Sequence, residues 1–144
     1  MQKTYVSYFI SMFIFAGFLT IENALADGNT TDIKIYSATT DSNGVQKVDV
    51  IGGGYYFDPN HIIVKVNTPV ELTLIKDEGF VPHTVVMDFP GAGMSFSESL
   101  SSEPTVIKFT PTALGEFAFI CDKKLLFFKS HDEKGMKGVI EVVE

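Results

Sequence analysis

The sequence predicts an all-β chain folded as a two-sheet β-sandwich, preceded by a cleavable export segment. Three observations carry this prediction. From Gln46 onward the chain breaks into short segments of period two or of continuous β-branched character, turn residues separate nearly all of them, and only Met94 to Ser102 invites a helical reading. That stretch is rich in Ser and reads as a loop with at most a single turn. A length of 144 residues is one domain's worth of chain.

The first 26 residues read as a signal peptide: Lys3 as the positive end, an apolar run from Tyr5 to Ile21, and Ala24-Leu25-Ala26 as a small-x-small cleavage site. The mature chain then starts at Asp27 and is periplasmic or otherwise exported. If the segment is retained, it becomes a membrane anchor; otherwise the mature domain is expected to touch no membrane. Removing 26 residues from 144 leaves 118, enough for one core and few enough for a bound metal to matter to stability. Residues 27–45, rich in Asp, Asn, Thr, Ser and Gly, form a flexible lead-in with one short strand at Asp32 to Tyr36 and a turn at Asn43-Gly44. Residues 46–144 form the folded domain.

Within that domain the expected strands are Val48 to Ile51, His61 to Val66, Val70 to Lys76, His83 to Met87, Thr105 to Thr110, Glu116 to Cys121 and Val139 to Val143. Val70, Leu72 and Leu74 alternate with Glu71 and Thr73, and Ile107 and Phe109 alternate with Val106 and Lys108, so each strand offers one apolar face. Several such strands call for two sheets face to face. In Glu116 to Cys121, the same alternation puts Phe117, Phe119 and Cys121 on one face. The thiol thus points the way the core does, at the end of its strand.

Composition excludes several functions. The net charge is -7 and all 11 basic residues are Lys, so the Arg fork that grips phosphate is missing and the field repels polyanions; nucleic acid is excluded as a partner. One Cys allows no internal disulfide, no CxxC pair, no four-thiolate zinc site and no iron-sulfur cluster built from this chain alone. An unpaired thiol in an oxidising compartment calls for an occupant, and a metal is the simplest.

The candidate ligands are few. Nine residues separate Cys121 from His131, four separate His131 from Met136, and His83 follows Pro82 at the entry of another strand. One thiolate, two imidazoles and one thioether are the soft, mixed set that suits copper cycling between Cu(I) and Cu(II), whereas structural zinc favours more thiolates or imidazoles in a closed tetrahedron. His61, the third histidine, reads as a surface or structural residue. Met87 reads as core, and Met94 as a loop residue.

From about Tyr55 to Glu144 the chain resembles the cupredoxin, or blue copper, family. The resemblance rests on Phe57-Asp58-Pro59 followed by an Ile/Val strand, on Pro82-His83, on Gly115 to Cys121, and on the His131 to Met136 spacing followed by Gly138-Val139-Ile140. It implies a Greek-key sandwich holding one mononuclear type 1-like copper ion. It also implies His83, Cys121 and His131 as equatorial ligands and Met136 as the weak axial one. Two features differ from the better-known carriers: the Cys-to-His gap is longer, and Thr84 stands where Asn often follows the first His.

The function this implies is one-electron transfer between redox partners by an exported monomer that is not itself an enzyme and has no catalytic residues. The alternative is a periplasmic copper carrier or copper-stress protein that uses the same ligands and has a copper-exchange partner. A Cys/His hydrolase built on Cys121 lacks an orienting Asn or Asp in any known pattern, and three histidines are too few for a multicopper oxidase. Inside the ligand loop, Leu125 to Phe128 form an apolar run beside Lys123, Lys124, Lys129 and Lys134. Either the run is a docking patch, or it folds back to seal the loop against water.

Overall fold

A computed structural model of the protein describes residues 32–144. The export segment at residues 1–26, with its cleavage site, lies outside the described residues. The described chain forms strands β1 (Ile35–Ser37), β2 (Thr39–Thr40), β3 (Gln46–Gly53), β4 (Tyr56–Asp58), β5 (His61–Lys65), β6 (Val70–Lys76), β7 (Thr84–Phe89), β8 (Met94–Ser99), β9 (Thr105–Phe109), β10 (Gly115–Ile120) and β11 (Lys137–Val143). One 3-10 turn, Pro90–Ala92, links β7 to β8. Among the described residues no helix is long and apolar enough to cross a membrane.

The strands make two sheets. One has the order β1-β5-β11-β10-β7-β8; the other runs β2-β3-β6-β9, with β4 paired to β3. Alternation decides which residues meet between them. Val48, Val50, Leu72, Leu74 and Ile107 face inward from the second sheet, against Ile62, Val64, Met87, Phe119, Ile140 and Val142 of the first. Gln46, buried at the start of β3, ties the sheets through its side chain. Its amide donates to the carbonyls of Lys65 and Thr68 at 3.1 and 3.2 Å, and its oxygen accepts from the Lys65 amide at 2.6 Å. A buried amide with all these partners costs little to bury and fixes register.

Strand β8 is the clearest departure from the expected elements, because Met94 to Ser102 reads as a loop in the sequence. Met94 and Phe96 turn toward the core while Ser95 and Ser97 face away, in register with β7 from Thr84↔Ser99 to Phe89↔Met94. The period of two is present, but serine on the outer face of an edge strand has the composition of a turn.

Register also explains one glycine. Gly138 on β11 stands opposite Phe119 on β10, and a Cβ there would lie 2.3 Å from Phe119 Cζ and 2.7 Å from the Asn60 carbonyl oxygen. The missing side chain is the space that the Phe119 ring fills. That ring packs in turn on Phe57, with centroids 5.1 Å apart.

Candidate metal centre

The ligand candidates meet because of strand direction. Strands β7 and β10 are antiparallel neighbours with Ile120 opposite Val86, so the residue before β7, His83, lies beside the residue after β10, Cys121. Strand β11 returns antiparallel to β10 with Lys137 opposite Ile120, which carries Met136 to Cys121. Backbone bonds hold the loop between them. The Cys121 amide donates to the Met136 carbonyl at 3.0 Å, the Met136 amide to the His131 carbonyl at 2.9 Å, and the His131 amide to the Lys123 carbonyl at 2.9 Å.

Three donor atoms converge. His83 Nδ1 and His131 Nδ1 are 3.1 Å apart, and Cys121 Sγ lies 3.4 Å from His131 Nδ1 and 3.9 Å from His83 Nδ1. All three side chains are buried, with Cys121 at 0% and each imidazole at 3% exposure. No other cluster of three His, Cys, Asp or Glu side chains with metal-ligand spacing occurs among the described residues. Donors held about 2.0 to 2.3 Å from one ion at trigonal or tetrahedral angles are separated by about 3.3 to 3.7 Å, and the three observed edges bracket that range. Lone pairs facing each other at this distance repel unless a proton or a cation sits among them. The residues therefore fit a metal ion. Met136 is fully buried beside them, anchored by its backbone to both Cys121 and His131.

Thr84 ties the two ligand segments together. Its amide donates to Cys121 Sγ at 3.3 Å, its hydroxyl donates to Asp122 Oδ1 at 2.5 Å, and that hydroxyl accepts from the Asp122 amide at 3.3 Å. Thr84 thus bridges the two segments, its main-chain amide on Sγ and its hydroxyl on Asp122.

The sequence carries one neighbour of this cluster that residue spacing does not reveal. Tyr55, in the left-handed region at φ +66°, turns its ring edge-on to both imidazoles, 4.9 Å from His131 and 6.1 Å from His83 by centroid. The Lys134 ammonium sits 4.2 Å from the Tyr55 ring centroid. The signal available was the run Gly52-Gly53-Gly54 before it, which marks a tight turn but not what the turn presents. His61 lies outside the cluster, on β5, where its Nε2 is 2.7 Å from Glu141 Oε2. Met87 and Met94 are both core residues.

Burial pushes both imidazoles below the ordinary histidine range. The His131 ring and Lys76 push His83 further down, while Lys134 lowers His131 and Asp132 opposes it. A histidine whose folded pKa lies below its unfolded value binds fewer protons when folded, so acid favours the unfolded chain. The metal-free protein is therefore expected to lose stability as pH falls through the unfolded value of 6.5, with the loss levelling off below the folded values. Urea midpoints between about pH 7.5 and 5 check this; a midpoint that is flat or rises toward acid contradicts it.

No protein-family model matches the sequence, and no curated protein is significantly similar to it. Solved structures do match the fold. The metal-binding domain of the Streptococcus pneumoniae Cu(I)-exporting P-type ATPase CopA, solved with Cu(I), is 26% identical with a TM-score of 0.59 over 77% of this chain and 97% of that one. Auracyanin from Roseiflexus castenholzii is 18% identical with a TM-score of 0.54, covering 74% of this chain and 99% of its own. The periplasmic domain of cytochrome oxidase subunit II from Bradyrhizobium japonicum is 16% identical with a TM-score of 0.52, covering 68% and 83%. The class is thereby defined: this is a β-sandwich with the cupredoxin fold. Within it, the His83-Cys121-His131 cluster fits a type 1-like arrangement of donors.

Proposed function

We propose that the chain is an exported, monomeric, mononuclear copper protein that carries single electrons between protein redox partners. In this reading His83, Cys121 and His131 are the equatorial ligands and Met136 is the weak axial one. The observation that carries it is the convergence of two Nδ1 atoms and one sulfur within 3.9 Å, with backbone bonds already holding their segments. Copper bound there would supply a Cu(I)/Cu(II) couple. The chain's own contribution is to keep the donors in place and water out. The Thr84 amide bond to Cys121 Sγ withdraws electron density from the sulfur, which favours the reduced form. Complete burial of Cys121 and Met136 acts in the same direction by penalising the extra positive charge of the oxidised site.

A second reading, copper carriage or copper-stress defence with transfer to an exchange partner, draws support from the 26% identity to the Cu(I)-exporting ATPase domain. Hydrolysis by Cys121 draws none. The thiol is closed off, and among the described residues neither His83 nor His131 is bonded to a side chain that would orient it as a base.

Adding Cu(II) to the purified protein and recording visible and EPR spectra tests the proposal. A strongly coloured form that reduces and reoxidises and resists a Cu(I) chelator supports electron transfer, while ready loss of copper to the chelator supports the second reading. A protein that takes up no copper overturns both.

A further inference from the structure

We propose that the tip of the ligand loop, Leu125–Phe128, docks on an anionic lipid surface, its apolar side chains entering the bilayer interface and Lys123, Lys124 and Lys129 meeting the phosphates. The excursion is closed at its neck, where the His131 amide bonds the Lys123 carbonyl, so residues 124–130 leave the sandwich as a finger. A turn at the tip, closed by the Phe128 amide on the Leu125 carbonyl at 3.0 Å, puts Leu126 at φ +46°. That is a conformation that favours glycine, yet a large apolar side chain occupies it.

Leu125, Leu126, Phe127 and Phe128 are 63, 75, 100 and 62% exposed. The run therefore does not fold back over the loop. Four consecutive exposed side chains point to more than one side, so the finger is apolar around its tip rather than on a single face. A flat partner surface would cover one side of such a tip; a bilayer interface surrounds it. Phe80, three residues before His83 in sequence, is a further fully exposed aromatic side chain.

Charge selects the lipid. The segment from Lys123 to Lys129 holds three lysines and no acid in a chain of net charge -7, and none of the three forms an ion pair among the described residues. An acidic body whose loop tip is cationic and apolar, with Asp122, Asp132 and Glu133 flanking that tip in sequence, approaches an anionic surface with the tip first. This departs from the expectation that only a retained export segment would bring the domain to a membrane.

The chain has no Trp, so a Phe127→Trp protein carries a single indole at the tip. That indole reports on the finger whatever other part of the chain touches the vesicle. With phosphatidylglycerol vesicles its emission is expected to shift to the blue and to be quenched by brominated acyl chains, and roughly 0.5 M salt should weaken the response. The same label at Val106→Trp, half-exposed on β9, is expected to stay unshifted. Changing Lys123, Lys124 and Lys129 together to Glu in the Phe127→Trp chain should cut the shift several-fold. The proposal is overturned if the tip indole stays water-exposed on phosphatidylglycerol, or if it responds equally to phosphatidylcholine. It is also overturned by a shift without vesicles that grows with protein concentration, which would make a second copy the occupant, or by one produced only by a protein partner.

Discussion

The Cys121→Ser protein is expected to lose the visible colour of the Cu(II)-loaded form completely and to bind copper on the order of 100-fold more weakly or worse. The thiolate is the only anionic donor among the converging atoms. A serine hydroxyl stays protonated at neutral pH and is a hard donor poorly matched to Cu(I). Disturbing even a partner of a ligand typically costs about 10- to 100-fold in metal affinity, so deleting the strongest ligand sets a higher floor. The fold itself should survive, because serine is slightly smaller and can still accept the Thr84 amide that now reaches Sγ. The unfolding free energies of the two metal-free proteins, from urea titration, are expected to agree within about 1 kcal/mol. Absorption spectroscopy and a competitive chelator titration make the measurement; undiminished colour or affinity would place the copper elsewhere.

Gly138→Ala acts on the fold rather than on the donors, with an expected loss of about 3 kcal/mol, at the upper end of what overpacking usually costs. The added methyl meets Phe119 Cζ at 2.3 Å and the Asn60 carbonyl oxygen at 2.7 Å. Neither can step aside. Phe119 is 2% exposed and packed on Phe57, and the Asn60 carbonyl already accepts the Val139 amide at 2.8 Å. Because β10 carries Cys121 at its end, displacing Phe119 also moves the thiol. Equilibrium urea unfolding should show a lower midpoint with an unchanged slope, and a loss below about 1 kcal/mol would mean that the sheet relaxes more freely than its register allows.

The sandwich is legible in the sequence wherever a strand has one apolar and one polar face of distinct composition. Val70 to Lys76 is expected and found over those same residues, and the Phe119-Cys121 face points inward as alternation requires. β8 is not legible, because Ser95 and Ser97 on its outer face look like loop residues while Met94 and Phe96 carry the pattern alone. The soft donor set can be anticipated from residue type, and the choice of His83, Cys121 and His131 within it from the family resemblance that their motifs carry. Tyr55 cannot be anticipated in this way. Its contact with the imidazoles depends on the φ of a turn and on how β3 and β4 sit against the ligand segments. The apolar run from Leu125 to Phe128 admits two opposite readings in sequence, and the exposure of its side chains decides between them.

The bond between the His131 amide and the Lys123 carbonyl acts as a clasp. A change in the chain above it reaches the three donors below through this bond and through the bonds of Ser130 to Glu133 and Lys134. Six residues, 124–129, thus form the variable part of the excursion, while Ser130 is held by its amide and hydroxyl on Glu133 Oε2, each at 2.7 Å. Docking by the tip and metal holding by the donors are therefore addressed by substitutions on opposite sides of this neck.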